Sequence, residues 1–208
     1  GAEAIDETID QVMVTRGMVP ESPGVIHWSI GPLVSEPDLA RAIAEGPYSK
    51  QALVPPSPWL GKNKPGPPLV STERRQDSLS ISWSHGSRDE IARWVLYYKY
   101  GTSWQYKVTG KQDSGASLAA FRIDEDALLS LDPDDPSGPS EILTPLRSIA
   151  VSAVDRYGNE SLSPELNTTG ISMADAPDMK SLRAKYLAKF EPPHSDKEGK
   201  TVTFDINE

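Results

Sequence analysis

The chain has 208 residues, of which 37% are hydrophobic and 25% charged, values typical of a globular protein with one or two domains. Its formal net charge of −9 argues against a nucleic-acid binder, because such proteins use Lys and Arg to neutralise phosphates. The sequence contains no cysteine, which excludes disulfides, thiol catalysis and cysteine-based metal sites. No apolar run approaches the roughly 20 residues of a membrane span.

The first segment, residues 1–51, combines helix and strand signals. Apolar residues recur at helical spacing over residues 2–16 and predict an amphipathic helix. The apolar run GVIHWSIG, residues 24–31, predicts a buried strand. Ser35 is the predicted N-cap of a second helix, which the Gly-Pro pair at 46–47 ends. This helix–strand–helix order is typical of an α/β segment and not of a sandwich.

The remaining chain divides into a linker, a β-rich region and a tail. Residues 52–64 are rich in proline and predict an extended linker. Residues 65–171 contain short alternating segments, namely SLSISWS, RWVLYYKYGTSWQYKV, LAAFRID and SIAVSAVDRYGNES. They predict a mainly β fold, an immunoglobulin-like sandwich. A loop-like acidic insert, residues 124–141, interrupts it, and residues 172–208 form a tail with one helix and a strand candidate at 201–206.

Aromatic residues concentrate in the predicted strands, where alternation assigns them to faces. Trp83 is predicted to lie in the sandwich core. On the following strand one face carries Trp94, Leu96, Tyr98 and Tyr100, and the other carries Val95, Tyr97 and Lys99. Because one face must be core, an exposed set of Tyr97 with Trp104 or Tyr106 is a candidate sugar-stacking strip. The alternative is that these rings pack against the linker or another domain.

Four segments in this order, PGPPLVS, SISWS, ARWVLYYKYG and IAVSAVDRYGNESLSP, resemble a bacterial fibronectin type III module. The resemblance covers roughly half of the chain and implies that the last segment is scaffold: a strand, a turn and the start of the closing strand. In many such domains a tyrosine before the penultimate strand ties a corner. The matching position here is near Arg147, so we expect other contacts to hold that corner.

The N-terminal segments MVPESPGVIHWSIGPL, LARAIAEGPY and ALVPPSPWLGK resemble the end of a TIM barrel. The matching bacterial family is glycosyl-hydrolase-like, loosely related to glycoside hydrolase family 10, and often carries a C-terminal fibronectin-like module. The resemblance implies that GVIHWSI, residues 24–30, is the last barrel strand and that the catalytic carboxylates lie outside this sequence. It also implies a secreted, periplasmic or cell-surface bacterial protein. His27 and Trp28 would then face a sugar site; the alternative is a core histidine beside a packed tryptophan.

We therefore expect a non-catalytic accessory or structural region of a secreted glycoside-hydrolase-like enzyme, which packs on the barrel or positions it on glycan. The alternative is an independent module that binds polysaccharide or protein. No catalytic residue, cofactor or metal is predicted, because the histidines lack metal-ligand spacing and the acidic insert lacks that of an EF-hand loop. The expected partners are polysaccharide, the barrel domain, or a second copy that pairs through the unpaired apolar segment 25–30.

Overall fold

The computed structural model describes residues 2–18, 24–130, 142–168 and 170–188. The chain forms two compact units, Gly1–Pro55 and Pro56–Glu208. The predicted strand at 201–206 lies outside the described residues, as does the acidic insert from residue 131 onward. None of the described helices is long and apolar enough to cross a membrane.

The first unit is helical. Its helices are α1 (Ala2–Met18), α2 (Gly31–Ser35) and α3 (Pro37–Glu45). Helices α1 and α3 contact each other, and Val12, Leu39 and Ile43 are buried. The small core of this unit is therefore built from two amphipathic helices, in agreement with the helical spacing of their apolar residues.

The prediction of a strand at residues 24–31 is wrong. Residues 24–30 form no strand, and residue 31 already begins α2. Ile26, Trp28 and Ile30 are exposed instead of buried. The physical reason is that a strand requires a hydrogen-bonded neighbour, and no strand among the described residues pairs with this segment.

The predicted N-cap is also wrong, since Ser35 is the last residue of α2 and α3 is preceded by Glu36. Glu36 makes no side-chain capping hydrogen bond. Pro37 accounts for this start, because proline at the first helical position has no N–H to satisfy and already has helical φ. It also disfavours a helical backbone at the residue before it, which separates α2 from α3.

The second unit is built mainly of antiparallel strands. These are β1 (Leu69–Arg74), β2 (Ser78–Ser84), β3 (Ile91–Tyr100), β4 (Ser103–Gly110), β5 (Gly115–Ala119), β6 (Phe121–Ile123), β7 (Leu143–Asp155) and β8 (Leu166–Asn167). Single-turn 3₁₀ helices lie at Arg88–Glu90 and Met173–Asp175, and the α-helices are α4 (Glu125–Ser130) and α5 (Met179–Leu187).

The strands form two sheets. The smaller has the order β1-β2-β5, and the larger has the order β4-β3-β7, with β6 and β8 both paired to β7. The fold is mainly β, a fibronectin type III-like sandwich, as the sequence predicted. Residue Gly101, with φ of +60°, makes the turn between β3 and β4 where the sequence placed it.

One apolar core lies between the sheets. It includes Trp83 from β2, Trp94 and Leu96 from β3, and Ile149 and Val151 from β7. The prediction that Trp83 is a core residue is confirmed, since only 3% of it is exposed. The indole nitrogen of Trp94 donates to the Lys111 carbonyl at 3.2 Å, so this buried ring keeps its one polar atom paired.

The position that matches the usual corner tyrosine, near Arg147, lies inside β7, where Thr168 contacts it. Arg147 is exposed, and its carbonyl accepts a hydrogen bond from the Thr168 N–H at 2.9 Å. The Thr168 hydroxyl also donates to the Leu146 carbonyl at 2.5 Å. Thr168 therefore extends the pairing of β8 with β7 by one residue beyond Asn167.

Helices α4 and α5, which lie outside the strands, both contribute apolar side chains that are buried or pack against the core. The start of the acidic insert is not a loop but helix α4, because Leu128 is fully buried and anchors one turn. In the tail, Met179 and Leu182 of α5 pack against the core. The Asp178 carboxylate caps α5 by accepting from the Ser181 N–H at 2.9 Å, and this hydrogen bond lowers the pKa of Asp178.

Residues 57–66, most of them in the predicted linker, are fixed on the sandwich, and we call them the docked segment. The Ser57 N–H donates to the Tyr157 carbonyl at 2.8 Å, and the Asn159 amide donates to the Gly61 carbonyl at 2.8 Å. His85 contacts the Gly66 carbonyl at 3.1 Å. The segment contains neither helix nor strand, as its prolines predict, but its backbone is held by these hydrogen bonds.

Candidate functional site

The hairpin of β3 and β4 brings three predicted site residues together. Tyr97 lies directly opposite Tyr106, and Lys99 lies directly opposite Trp104. Side chains at opposed positions share a face, and this face points away from the core that Trp94 and Leu96 fill. We call Tyr97, Trp104 and Tyr106 the aromatic strip; it lies on the outer face of the larger sheet.

Two of the three rings in the aromatic strip are open to solvent. Trp104 is 44% exposed and Tyr106 is 38% exposed, whereas Tyr97 is partly buried. The Tyr97 and Tyr106 rings are tilted by 47°, with centroids 6.5 Å apart. The Lys99 ammonium lies 5.5 Å from the centroid of the Trp104 ring, a cation–π distance.

A hydrogen-bonded carboxylate lies beside the aromatic strip. The Tyr97 hydroxyl donates to Glu160 Oε1 at 2.6 Å, and the hydroxyl of the fully buried Ser152 donates to the same oxygen. Burial, together with this hydrogen bond to Glu160, raises the pKa of Tyr97 well above its ordinary value. Tyr97 therefore stays a neutral donor that fixes one oxygen of the carboxylate.

Sequence reasoning did not single out Glu160. It follows the Asp155–Asn159 turn, where a polar residue gives no signal beyond that of a loop. Its position comes from the fold, because a bridge between Glu160 and Val154 places it at the edge of β7. In the register of β7 against β3, Ser152 lies opposite Val95. Val95 is two residues before Tyr97, so Ser152 and Tyr97 are on the same face of the sheet.

His27 and Trp28 lie in the first unit, apart in sequence from the aromatic strip. The His27 Nε2 is 3.3 Å from the Tyr48 hydroxyl, and the two rings meet edge to face with centroids 6.0 Å apart. The Arg16 guanidinium lies 5.0 Å from the Tyr48 ring centroid. Trp28 is 97% exposed, and its peptide bond to Ser29 is cis. His27 is thus positioned by Tyr48, while Trp28 has its whole ring available.

The second unit also has a charged cleft of about 700 Å³ at one end of the sandwich. Lys62, Lys64 and Arg156 line it together with Asp89 and Glu90. The Lys111 ammonium crosses it to the Asp89 carboxylate at 3.9 Å. Within the part of the chain that the structure describes, no group of three or more His, Asp or Glu side chains is arranged to hold a metal ion.

The chemistry that the aromatic strip offers is non-covalent. Exposed indole and phenol rings present flat apolar faces with a negative quadrupole, which attract the polarised C–H bonds on one face of a sugar ring. The adjacent Glu160 carboxylate accepts hydrogen bonds, and Lys99 supplies a positive charge. These groups are suited to binding and carry no nucleophile-and-base arrangement of the kind that covalent catalysis requires.

No protein-family model matches the chain, and no curated protein matches it. Three of the solved structures that resemble part of it illustrate the low TM-scores. A pectate lyase from Erwinia chrysanthemi in complex with tetragalacturonic acid is 14% identical over 50% of this chain and 29% of its own, with a TM-score of 0.33. The chicken CNTN1 FN1–FN3 domains are 16% identical over 51% and 32%, with a TM-score of 0.33. A myokine is 12% identical over 50% and 96%, with a TM-score of 0.31.

The chain therefore spans about a third or less of the first two of these structures. All three TM-scores are below 0.5, and the sandwich is identified by its strand order and its core.

Proposed function

We propose that this chain is a non-catalytic accessory region of a secreted carbohydrate-active enzyme, and that its sandwich contacts polysaccharide through the aromatic strip. The observation that carries the proposal is the side-by-side placement of the exposed Trp104 and Tyr106 rings on the outer face of the larger sheet. Exposed aromatic rings grouped on one face are a common mark of a contact surface. A sheet face is also rigid, so binding costs little ordering of the rings.

The polar neighbours of the aromatic strip support a sugar more than an apolar ligand. Glu160 is fixed by Tyr97 and Ser152 and accepts hydrogen bonds next to the rings. A pyranose has both an apolar face and a rim of hydroxyls, so it uses both kinds of group at once. A purely apolar partner would leave the carboxylate desolvated without a hydrogen bond from the ligand.

The barrel origin of the first unit is part of the same proposal. It is supported by the exposure of the apolar residues Ile26, Trp28 and Ile30, which have no strand neighbour among the described residues. On this proposal the partner is the rest of a glycosyl-hydrolase-like barrel, in a secreted, periplasmic or cell-surface bacterial protein. In the isolated chain the same segment would pair with a second copy.

The binding proposal is tested by affinity gel electrophoresis of the 208-residue chain through a panel of soluble polysaccharides. We expect at least one glycan to slow the chain, and Trp104→Ala to weaken that binding about tenfold, which corresponds to about 1.4 kcal/mol. Trp59→Ala is the matched control, because Trp59 is 76% exposed but lies in the docked segment. Its mobility should follow that of the unmodified chain.

Retardation that both tryptophan variants lose equally, or no retardation by any glycan, would contradict sugar binding at the aromatic strip. The reading frame upstream of residue 1 distinguishes the enzyme region from the alternative, an independent binding module. Further βα repeats there would support the enzyme, whereas a signal peptide followed directly by this sequence would support a standalone binding module.

A further inference from the structure

The positive charge of Lys99, beside the aromatic strip, indicates which class of glycan would bind there. This inference rests on the proposed function. Lys99 lies on the central strand β3, opposite Trp104 on one side and Ser148 on the other. Its side chain is partly buried and its ammonium lies over the Trp104 ring. A partly desolvated cation on an aromatic ring is well placed to attract an anion.

The charge of Lys99 is not neutralised by its surroundings. Of the ion pairs among the residues that the structure describes, none includes Lys99. Glu160 accepts from Ser152, which is four residues along β7 from Ser148, and from Tyr97, which is two residues along β3 from Lys99. The outer face therefore has Lys99 and Trp104 at one end, Tyr97 and Tyr106 at the next paired positions, and the Glu160 carboxylate hydrogen-bonded to Tyr97 beyond Lys99.

We propose that the aromatic strip binds a saccharide that carries a carboxylate, such as a uronic acid residue. The sugar carboxylate pairs with the Lys99 ammonium, the sugar ring stacks on an exposed aromatic ring, and a hydroxyl further along donates to Glu160. A polyanion of high charge density fits less well, because one lysine does not offset a row of phosphates against a net charge of −9.

The test uses alginate and glucuronoxylan, each beside its carboxyl-reduced form, which keeps the polymer backbone but removes the charge. Affinity gel electrophoresis of the full chain should show binding of an acidic form in preference to its reduced form. Lys99→Met, which keeps an aliphatic chain but removes the charge, should weaken binding to the acidic form about tenfold to a hundredfold. Lys99→Arg should retain most of the binding.

Lys107→Met is the matched control, because it makes the same change of net charge on the neighbouring strand. Lys107 lies opposite Leu96, a core residue, and so belongs to the other face of the sheet. Its affinity for the acidic glycan should be unchanged. Circular dichroism and urea unfolding of both variants confirm that each is folded before binding is compared.

The outcomes separate this inference from the proposed function. Equal binding of acidic and reduced forms, unaffected by Lys99→Met but lost in Trp104→Ala, would overturn the acidic class and leave sugar binding intact. Equal weakening by Lys99→Met and Lys107→Met would also overturn it, because net charge and not this site would be responsible. No binding of these polymers or of any neutral polysaccharide would overturn both.

Discussion

Tyr97 and Tyr100 lie three residues apart on β3, and their hydroxyls are used on opposite faces. Tyr97 donates to Glu160 on the outer face, whereas the Tyr100 hydroxyl donates to the Ala119 carbonyl at 2.6 Å, next to the core. Burial raises the pKa of Tyr100 to about 12, because a phenolate would lose its hydration there. Tyr100 thus makes a hydrogen bond next to the core, and Tyr97 fixes the Glu160 carboxylate on the outer face.

Because Tyr100 is buried, the free energy of unfolding of the sandwich varies with pH in the alkaline range. The folded pKa of Tyr100 is higher than its unfolded value of about 10, so the unfolded chain releases the proton first. The stabilisation by Tyr100 is therefore complete below pH 10 and is lost as the pH rises towards 12. Urea unfolding at steps of pH should show the free energy of unfolding falling in this window.

Tyr100→Phe is expected to reduce that alkaline slope, because phenylalanine has no proton to lose. At neutral pH the variant should be about 1 kcal/mol less stable, since the hydrogen bond to Ala119 is removed. Lysines also titrate near pH 10.4, but they do so in both proteins, so the difference between the two curves isolates Tyr100. Identical slopes in the variant and the unmodified chain would contradict the assignment.

At the scale of elements, the alternation of apolar and polar residues was sufficient to predict which side chains share a face of the β3–β4 hairpin. The alternation placed Trp94 and Leu96 on one face of β3 and Tyr97 on the other, and it required one of these faces to be core. The structure buries Trp94 and Leu96 and places Tyr97 opposite Tyr106 on the other face. Glu160 was not foreseen, because its position depends on how β7 and its following turn meet β3. That contact is long-range and leaves no periodic signal in the sequence.

The segment at 24–30 shows the opposite case. Its apolar run favours a buried strand, but a strand also needs a neighbour, and the sequence of the segment itself does not say whether one exists. Ser35 was assigned as a cap on residue type alone, and Pro37 outweighed it by fixing the helix start two residues later. Local propensity therefore predicted helix α3 but not its first residue, and it predicted a strand at 24–30 that does not form.

The docked segment depends on a close approach at one glycine. A Cβ at Gly61 would lie 2.6 Å from Cδ2 of the Tyr157 ring, so an alanine there must displace the ring or the segment. We expect Gly61→Ala to lower the free energy of unfolding by about 1–3 kcal/mol. Trypsin should also cut after Lys62 faster, because a loosened segment enters the protease active site more readily.

Gly66→Ala is the matched control for this substitution. A Cβ at Gly66 would lie 3.6 Å from the His85 ring nitrogen, an ordinary van der Waals contact. Its stability should stay within about 0.5 kcal/mol of the unmodified chain. Equal tryptic cleavage in both variants would show that the Gly61 contact does not hold the segment.

At the scale of the whole molecule, the chain divides into two units that should unfold separately. The boundary lies between Pro55 and Pro56, so the docked segment belongs to the sandwich. A shortened chain that begins at Pro56 should retain the unfolding free energy of the sandwich in the full chain. Urea unfolding followed by tryptophan fluorescence measures this, because Trp83 and Trp94 are buried in the core.

A chain that begins at Pro67 should be about 2–4 kcal/mol less stable, since it loses three hydrogen bonds between the docked segment and the sandwich. Equal stability of the two shortened chains would mean that the segment contributes nothing to the fold. Loss of folding in the chain from Pro56 would instead contradict the division into two units.

The hydrogen bond from Asn159 to Gly61 has a consequence for expression in eukaryotic cells. Asn159, Glu160 and Ser161 match the triplet that is N-glycosylated in the secretory pathway. The Asn159 side chain is only 5% exposed, and its amide nitrogen is already donated to Gly61 and Asp155. An oligosaccharide attached there during translocation, before folding, would keep the docked segment away from the sandwich. Yeast or mammalian secretion would thus yield a differently folded product from that of a bacterial host.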